Sequence, residues 1–195
     1  MRWDKLFDDL ESQLERELTA EELDLGAEEE RLRLGRLTLR DRLVAVQVVA
    51  GAPLAVTLLD GTRLRVRPVT VGRDWVSADV VDDSPVRRQC VIPIASIAAI
   101  TLPPGLIAAS LGGARTDEHP ALTARLGLTF VLRDLCRRRR PVQLLIQGGT
   151  VHGTIDRVGR DHLDLAVHEP GSARRDSAVE ELRVIALTAV QLVRL

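Results

Sequence analysis

Short runs in which apolar and polar positions alternate occupy most of the chain, a pattern typical of half-buried β-strands. Leu54, Val56 and Leu58 form one such run, and the turn pair Asp60-Gly61 follows it, as in tight hairpins. Pro68 in the next run predicts an edge or a bulge. Altogether the pattern predicts strands near residues 54–58, 64–69, 75–81, 89–94 and 97–102, and again near 142–146, 151–158, 162–167, 182–187 and 190–195.

Helical signals replace this alternation in four places. In the arm, Thr19 with Glu22 predicts a capping box that opens a helix through residues 28–31. Thr38 with Asp41 predicts a capped helix over residues 39–49, and a matching helix is expected over residues 122–140. At the N-terminus an apolar stripe has spacings of three and four residues, so its members share one helix face: Trp3, Leu6, Phe7, Leu10, Leu14 and Leu18.

The chain also contains an internal repeat. Val71-Gly72-Arg73-Asp74 returns unchanged as residues 158–161, and the strand and turn signals around it return in the same order. Self-similarity of this kind indicates two copies of one structural unit. The sequence therefore predicts an acidic helical arm (1–34), a first repeat with its leading helix (35–102), a weakly structured linker (103–121) and a second repeat with its leading helix (122–195).

Composition restricts the core and the compartment. Aromatic residues make up only 2%, so the core must consist of Leu, Val, Ile and Ala, and the absence of Asn and Tyr indicates a GC-rich bacterial genome. Two cysteines do not form a disulfide framework. The N-terminus has no signal-peptide core, and no apolar run reaches the roughly 18 residues of a membrane span. We therefore expect a cytoplasmic protein without a membrane partner.

The order of elements in each repeat resembles the Sm-like family of small SH3-like barrels. The resemblance covers residues 36–102 and 122–195: a helix, five short strands with Asp-Gly and Gly-x-Asp type turns, and a closing pair that in the first repeat contains Val91-Ile92-Pro93-Ile94. It implies a mainly β fold with helices, built as two tandem five-stranded barrels. An acidic arm before two barrels is also similar to uncharacterised proteins of high-GC bacteria.

The departures from the family concern its RNA site. Sm-like RNA binders place an Asn in the turn before the third strand, where this chain has Asp74 and Asp161. The family's Arg-Gly pair and base-stacking aromatics are also missing, so the usual uridine pocket is not expected. Family members assemble by pairing a fourth strand with the fifth strand of a neighbour. Two fused copies would either pair in this way within the chain or stay as independent barrels. Because unpaired edge strands favour pairing, we expect an interface inside the chain, and homodimerisation stays open.

Charge is distributed unevenly along the chain. Residues 1–30 hold twelve acidic and three basic residues, a net charge of −9, which leaves +8 for the remainder of a chain whose overall charge is −1. A split of this kind concerns partners and association more than fold. The arm either packs on the barrels or docks on another chain, and its candidate contact residues are Trp3, Phe7, Leu10 and Leu14.

The sharpest basic cluster is Arg137, Arg138, Arg139 and Arg140. At a helix end it would contact phosphates, favour the helix dipole or meet the acidic arm. The sequence leaves these three interpretations open.

Other candidate groups have simpler explanations than chemistry. His152, His162 and His168 lack metal-ligand spacing and are expected to be exposed strand histidines. Asp74 and Asp161 are expected to satisfy local turn amides. Cys136 is expected to be a helix-buried thiol, and Trp75 is a candidate for either an asymmetric contact or core packing. We therefore predict no catalytic residues, no metal and no cofactor.

The sequence favours two functions. The first is a non-catalytic adaptor that engages a protein partner through the acidic N-terminal helix or a strand edge. The alternative is an RNA-binding Sm-like protein that uses the basic body and the cluster Arg137–Arg140.

Overall fold

A computed structural model describes residues 25–49, 53–83, 88–112, 122–171 and 179–195. By its internal contacts the chain divides into Met1–Thr38 and a larger body, Leu39–Leu195. In the first part, helix α1 is described over residues 25–36, and its side chains are exposed. Most of the predicted acidic arm lies outside the described residues.

The body contains four helices and ten strands among its described residues, close to the predicted bounds. The helix expected over residues 39–49 is α2 (Leu39–Val49). The helix expected over 122–140 is interrupted at Gly127 and forms α4 (Leu122–Arg125) and α5 (Leu128–Arg137). The strands are β1 (Leu54–Leu58), β2 (Arg63–Val71), β3 (Trp75–Val80), β4 (Arg88–Pro93), β5 (Ile97–Thr101), β6 (Pro141–Ile146), β7 (Gly149–Val158), β8 (His162–Val167), β9 (Glu181–Ala186) and β10 (Val190–Arg194).

One element was not expected. Within the segment predicted to be a weakly structured linker, Pro104–Leu111 form helix α3. Pro104 stands at its first helical position, where the missing amide costs nothing because that amide has no partner inside the helix. The short apolar run after Pro104 supplies the side chains, and Leu106 packs against the core of the first repeat.

All ten strands belong to one antiparallel sheet in the order β5-β1-β2-β3-β4-β10-β6-β7-β8-β9. The two repeats therefore have the same internal order, and β4 and β10 join them. Among the described residues no pairing links β5 to β4 or β10 to β9, so the sheet is open, with β5 and β9 at its edges. The mainly β fold expected from the sequence is confirmed. The strand pairings of the described residues do not show the two closed barrels that were also expected.

The sequence repeat is also a repeat of strand pairing. β2 is bulged between Pro68 and Thr70, as its proline predicted, and β7 is bulged at the equivalent place, between Ile155 and Arg157. Trp75 pairs with Pro93 in the first repeat as His162 pairs with Ala186 in the second. We call two residues repeat-equivalent when they occupy the same position in these two sets of pairs.

The junction between the repeats is the antiparallel pair β4–β10. Val91 lies opposite Val193 and Cys90 opposite Arg194, and the Leu195 amide donates to the Gln89 carbonyl at 2.9 Å. The sequence led us to expect an interface inside the chain, and of the two alternatives, fourth-with-fifth pairing or independent barrels, the structure shows the pairing. Burial at the junction raises the pKa of the Cys90 thiol to about 12.

Each repeat contributes side chains to the core of the other. Leu192, from β10, is fully buried in the cluster that the first repeat builds. Trp75 and Val91, from β3 and β4, belong to the buried cluster of the second repeat, together with Leu132 and Leu144. The junction is therefore part of both hydrophobic cores, and separating the repeats would expose apolar surface on each side.

Trp75 explains the glycine in the repeated tetrapeptide. A Cβ on Gly72 would lie 2.3 Å from the Trp75 indole, and a Cβ on Gly159 would lie 2.6 Å from the ring of His162. In each repeat the glycine lies against a ring three residues later, and only at Gly72 is that ring fixed by burial. The Trp75 ring is 6% exposed, and its Nε1 donates to the Leu126 carbonyl at 2.9 Å. Trp75 was a candidate for an asymmetric contact or for core packing. It is both, because it belongs to the first repeat and packs in the core of the second.

Trp75→Ala should destabilise the body strongly, by about 3–5 kcal/mol, because it opens a cavity at the junction. The control is His162→Ala at the repeat-equivalent position, which is exposed and should cost less than about 1 kcal/mol. Urea unfolding followed by circular dichroism measures both. Equal losses for the two variants would contradict the assignment of Trp75 to the core of the second repeat.

Candidate functional site

The predicted partner-binding residues of the arm lie outside the described residues. These are Trp3, Phe7, Leu10 and Leu14. Their role stays a prediction.

The arginine cluster at the end of α5 is largely paired with carboxylates of the same repeat. Arg137 and Arg138 contact the two carboxylate oxygens of Asp134 at 2.6 and 2.7 Å, and Arg139 contacts Asp156 at 2.9 Å. The hydrogen bond from Arg137, with that from Arg138, lowers the pKa of Asp134 below its usual value. Three of the four predicted phosphate contacts therefore already have an anionic neighbour, which reduces the positive charge this end of α5 presents.

The three histidines do not converge. The His152 ring lies 3.1 Å from the Gln143 amide nitrogen, and the His162 ring lies 2.8 Å from the Asp161 carboxylate. His168 is buried, contrary to the expected exposure, and its ring bonds the Thr154 hydroxyl at 2.9 Å, which satisfies the buried nitrogen. Within the described part of the chain no three His, Cys, Asp or Glu residues are arranged to hold a metal ion.

The two repeat-equivalent aspartates do different work. Asp74 accepts the Leu128 amide at 2.7 Å and so binds the first turn of α5 in the other repeat, where a carboxylate is favoured by the helix dipole. The Asp161 carboxylate instead bonds the neighbouring His162 ring, and this hydrogen bond lowers the pKa of Asp161. The expectation of purely local turn contacts was wrong for Asp74, because the junction brings a helix N-terminus to it.

Two large apolar side chains lie exposed on β9, the strand at one edge of the sheet. Val184 is 70% exposed and Leu182 is 69% exposed. Val91, the repeat-equivalent of Val184, is 3% exposed because β10 covers β4. Among residues 25–49, 53–83, 88–112, 122–171 and 179–195, no strand pairs with the side of β9 that faces away from β8. The valine at this position is thus buried in the first repeat and exposed in the second.

A second open surface lies at the opposite edge, beside β5. A groove of about 270 Å³ runs between α2, the start of β1 and the end of the first repeat. Its lining is mostly apolar: Leu43, Val46 and Leu54 are buried at its base, Ile100 and Leu102 are half-buried, and Arg42 also lines it. β5 itself reads Ile-Ala-Ala-Ile-Thr and carries no charge. Exposed edge strands usually carry charge or proline, which prevents pairing with another chain.

Two groups of basic residues were missed by sequence reasoning. Arg63 and Arg65 alternate along β2 and project from its exposed face, and neither has a carboxylate partner among the described residues. Arg88 and Arg194 line a pocket of about 220 Å³ next to the junction, together with Gln143 and His152. The alternation in β2 was visible in the sequence, whereas the pocket depends on the β4–β10 pairing.

Comparison of the chain with protein-family models, curated proteins and solved structures gave no match.

In the described part of the chain, no helix has the length and apolar content required to cross a membrane.

Asp74→Ala should destabilise the body by about 1 kcal/mol, because the first amide of α5 loses its carboxylate. The matched control is Asp161→Ala, which removes an exposed carboxylate that caps no helix and should change stability by less than about 0.5 kcal/mol. Chemical denaturation of both variants gives the comparison. A loss for Asp161→Ala as large as for Asp74→Ala would contradict the capping role.

Proposed function

We propose that this chain is a non-catalytic binding protein, an adaptor that engages a protein partner by adding a strand to the edge of β9. The observation that carries the proposal is the 70% exposure of Val184 on a strand whose outer edge pairs with no strand in the described part of the chain. An unpaired edge offers a row of backbone donors and acceptors, and alternate side chains supply the specificity. Leu182 and Val184 are the side chains that a partner strand would cover.

The charged residues on β9 would protect its exposed edge from nonspecific aggregation before a partner binds. Glu181 and Arg183 on the same strand form an ion pair with each other, so charged side chains stand beside the two exposed apolar residues. Charge at an edge strand discourages nonspecific aggregation while leaving the backbone available. A cognate strand would keep this ion pair in solvent and bury only the apolar positions.

We also infer that each repeat is a small barrel of the Sm-like type. Three observations support this: the strand order is the same in both repeats, each second strand is bulged near its middle, and each fifth strand follows one turn of 3-10 helix. The fold would then act as a rigid frame for β9. The acidic arm would be a second contact through Trp3, Phe7, Leu10 and Leu14.

The proposal is tested by affinity capture from nuclease-treated native lysate. Leu182→Lys with Val184→Lys places cations on the β9 edge and should abolish recovery of the protein partner. Phe130→Ser is the matched control, since it removes a side chain that is 54% exposed on α5 and should leave recovery unchanged.

Deleting residues 1–34 measures the contribution of the arm separately. Undiminished recovery by both the β9 variant and the deletion variant would contradict the proposal.

RNA binding is a second candidate, favoured by the exposed guanidinium groups of Arg63 and Arg65. If RNA binds there, Arg63→Ala with Arg65→Ala should lower the salt dependence of affinity by about 1.4 in log–log slope, for two lost contacts to a single strand. Arg137→Ala with Arg138→Ala should change it less, because Asp134 already pairs these residues. An unchanged RNA mobility at low salt would remove this candidate.

A further inference from the structure

A row of polar side chains crosses the strands next to the junction. Arg194 on β10 lies opposite Gln143 on β6, and Gln143 lies opposite His152 on β7. Directly opposed residues project from the same face of a sheet, so these three side chains stand next to one another. The Arg194 guanidinium donates to the Gln143 side-chain oxygen at 3.2 Å, and the Gln143 amide nitrogen lies 3.1 Å from His152 Nε2. A chain of hydrogen bonds thus connects three adjacent strands.

The arginine fixes the direction of this chain of hydrogen bonds. A guanidinium group only donates, so Gln143 turns its oxygen toward Arg194 and its amide nitrogen toward His152. The amide nitrogen also only donates, so His152 accepts at Nε2 and carries its ring proton on Nδ1. His152 Nδ1 and the remaining guanidinium N–H groups of Arg194 are therefore donors that another molecule could use.

Strand pairing does not require this polar row, because the first repeat pairs in the same way without it. The repeat-equivalent positions hold Thr101 on β5, Ala55 on β1 and Arg65 on β2, and Ala55 lies opposite the other two. The Ala55 side chain has no polar group that could link its neighbours. The row Arg194–Gln143–His152 therefore belongs to the second repeat, and its role is not to hold the strands together.

The polar row lines a pocket of about 220 Å³ beside the junction, and Arg88 lines the same pocket from β4. Cys90, two residues after Arg88, lies opposite Arg194. Arg88 and Arg194 are therefore diagonal neighbours on one face of the sheet, about 7–8 Å apart at Cβ. No carboxylate side chain is among the described residues that line the pocket. Two arginines, one from each repeat, thus line one cavity without an acidic side chain in its wall.

The positive charge of these two arginines is only partly compensated. Within the described ranges Arg194 has no ion-pair partner, and its hydrogen bond goes to the neutral amide of Gln143. Arg88 forms an ion pair with Asp82 at 3.3 Å, but both side chains are exposed to solvent, which makes such a pair weak. The end of α5 differs, because Asp134 there binds two arginines at once. An anion in the pocket would meet positive charge that its surroundings leave available.

We propose that this pocket binds a phosphate group, either as inorganic phosphate or as a phosphate monoester with a short carbon chain. Its wall supplies three separate donors: the guanidinium groups of Arg88 and Arg194 and the His152 ring. A planar carboxylate is satisfied by one arginine in a bidentate contact, whereas the oxygens of a tetrahedral phosphate accept from several directions. The site is independent of the β9 edge and goes beyond the proposed function.

The size and the rest of the lining suit a small ester. The volume lies below the roughly 300 Å³ at which pockets for drug-sized ligands begin. His168 also lines the pocket, but its ring nitrogens already bond the Thr154 hydroxyl and the Glu169 carbonyl. The remaining lining residues carry neither charge nor a side-chain donor, so they would contact carbon: Pro141, Val142, Gly153, Pro170, Gly171 and Leu195.

The test is titration of the full chain with inorganic phosphate and with glycerol 3-phosphate at constant ionic strength, followed by calorimetry and NMR. We expect saturable binding in which the ring signals of His152 and the Nε–H signal of Arg194 move together. Acetate and glycerol are the matched controls for a carboxylate and for the carbon chain, and neither should bind. Tighter binding of glycerol 3-phosphate identifies an ester as the ligand, and tighter binding of inorganic phosphate identifies the free ion.

Substitutions locate the binding. Arg194→Gln should weaken phosphate binding about tenfold or more, because a charged donor is lost. Arg88→Gln should weaken it less, because Asp82 already pairs with that arginine. Arg160→Gln is the matched control: Arg160 is exposed and does not line the pocket, so the affinity should not change. If Arg194→Gln does not fold, Arg194→Lys replaces it, since lysine keeps the charge and loses the planar fork.

Four results would overturn the inference. The first is the absence of saturable binding by either phosphate compound, and the second is a signal shift that follows ionic strength with any salt. The third is a loss of affinity in Arg160→Gln as large as in the two pocket variants. The fourth is binding of a 5′-phosphorylated oligonucleotide that glycerol 3-phosphate does not displace, which indicates a nucleic-acid surface. None of these results depends on recovery of a protein partner through β9.

Discussion

The structure depends on one antiparallel pairing, that of β4 with β10. It carries few backbone contacts along its length, yet it brings Leu192 into the first hydrophobic core and Val91 and Trp75 into the second. A 195-residue chain poor in aromatic residues has limited means to fill two small cores. Exchanging side chains across a shared strand pair lets each repeat bury apolar surface that it would otherwise expose.

The same constraint explains local features that look unrelated in the sequence. Gly72 is required because the Trp75 ring lies against it, and Asp74 beside it binds the first amide of α5. Gly127 lies close to Arg73: a Cβ at this position would be 2.6 Å from that guanidinium group. The turn before β3 therefore positions the leading helix of the second repeat. At the same turn of the second repeat, the Asp161 carboxylate bonds the His162 ring instead.

Much of the fold could be predicted from the sequence, because alternation and the repeated tetrapeptide are local signals. The ten strands and α2 lie close to their predicted bounds, and the bulge followed from Pro68. What could not be predicted depends on which strand lies beside which. The burial of His168, the capping by Asp74 and the difference between Val91 and Val184 all follow from tertiary neighbours, while hydrophobicity alone treats the two valines alike. The run Arg137–Arg140 was prominent in the sequence, but the sequence could not show that Asp134 and Asp156 form ion pairs with three of its residues.

The most direct test of the β4–β10 junction is hydrogen exchange of the Leu195 amide, followed by NMR. Leu195 directly follows the last residue of β10 (Val190–Arg194), and its amide donates to the Gln89 carbonyl, so protection of this amide reports on the junction. The account predicts that this amide is protected and opens together with β4, in the same cooperative unit. Exchange of Leu195 at the rate of an unstructured amide, while β4 stays protected by β3, would contradict it.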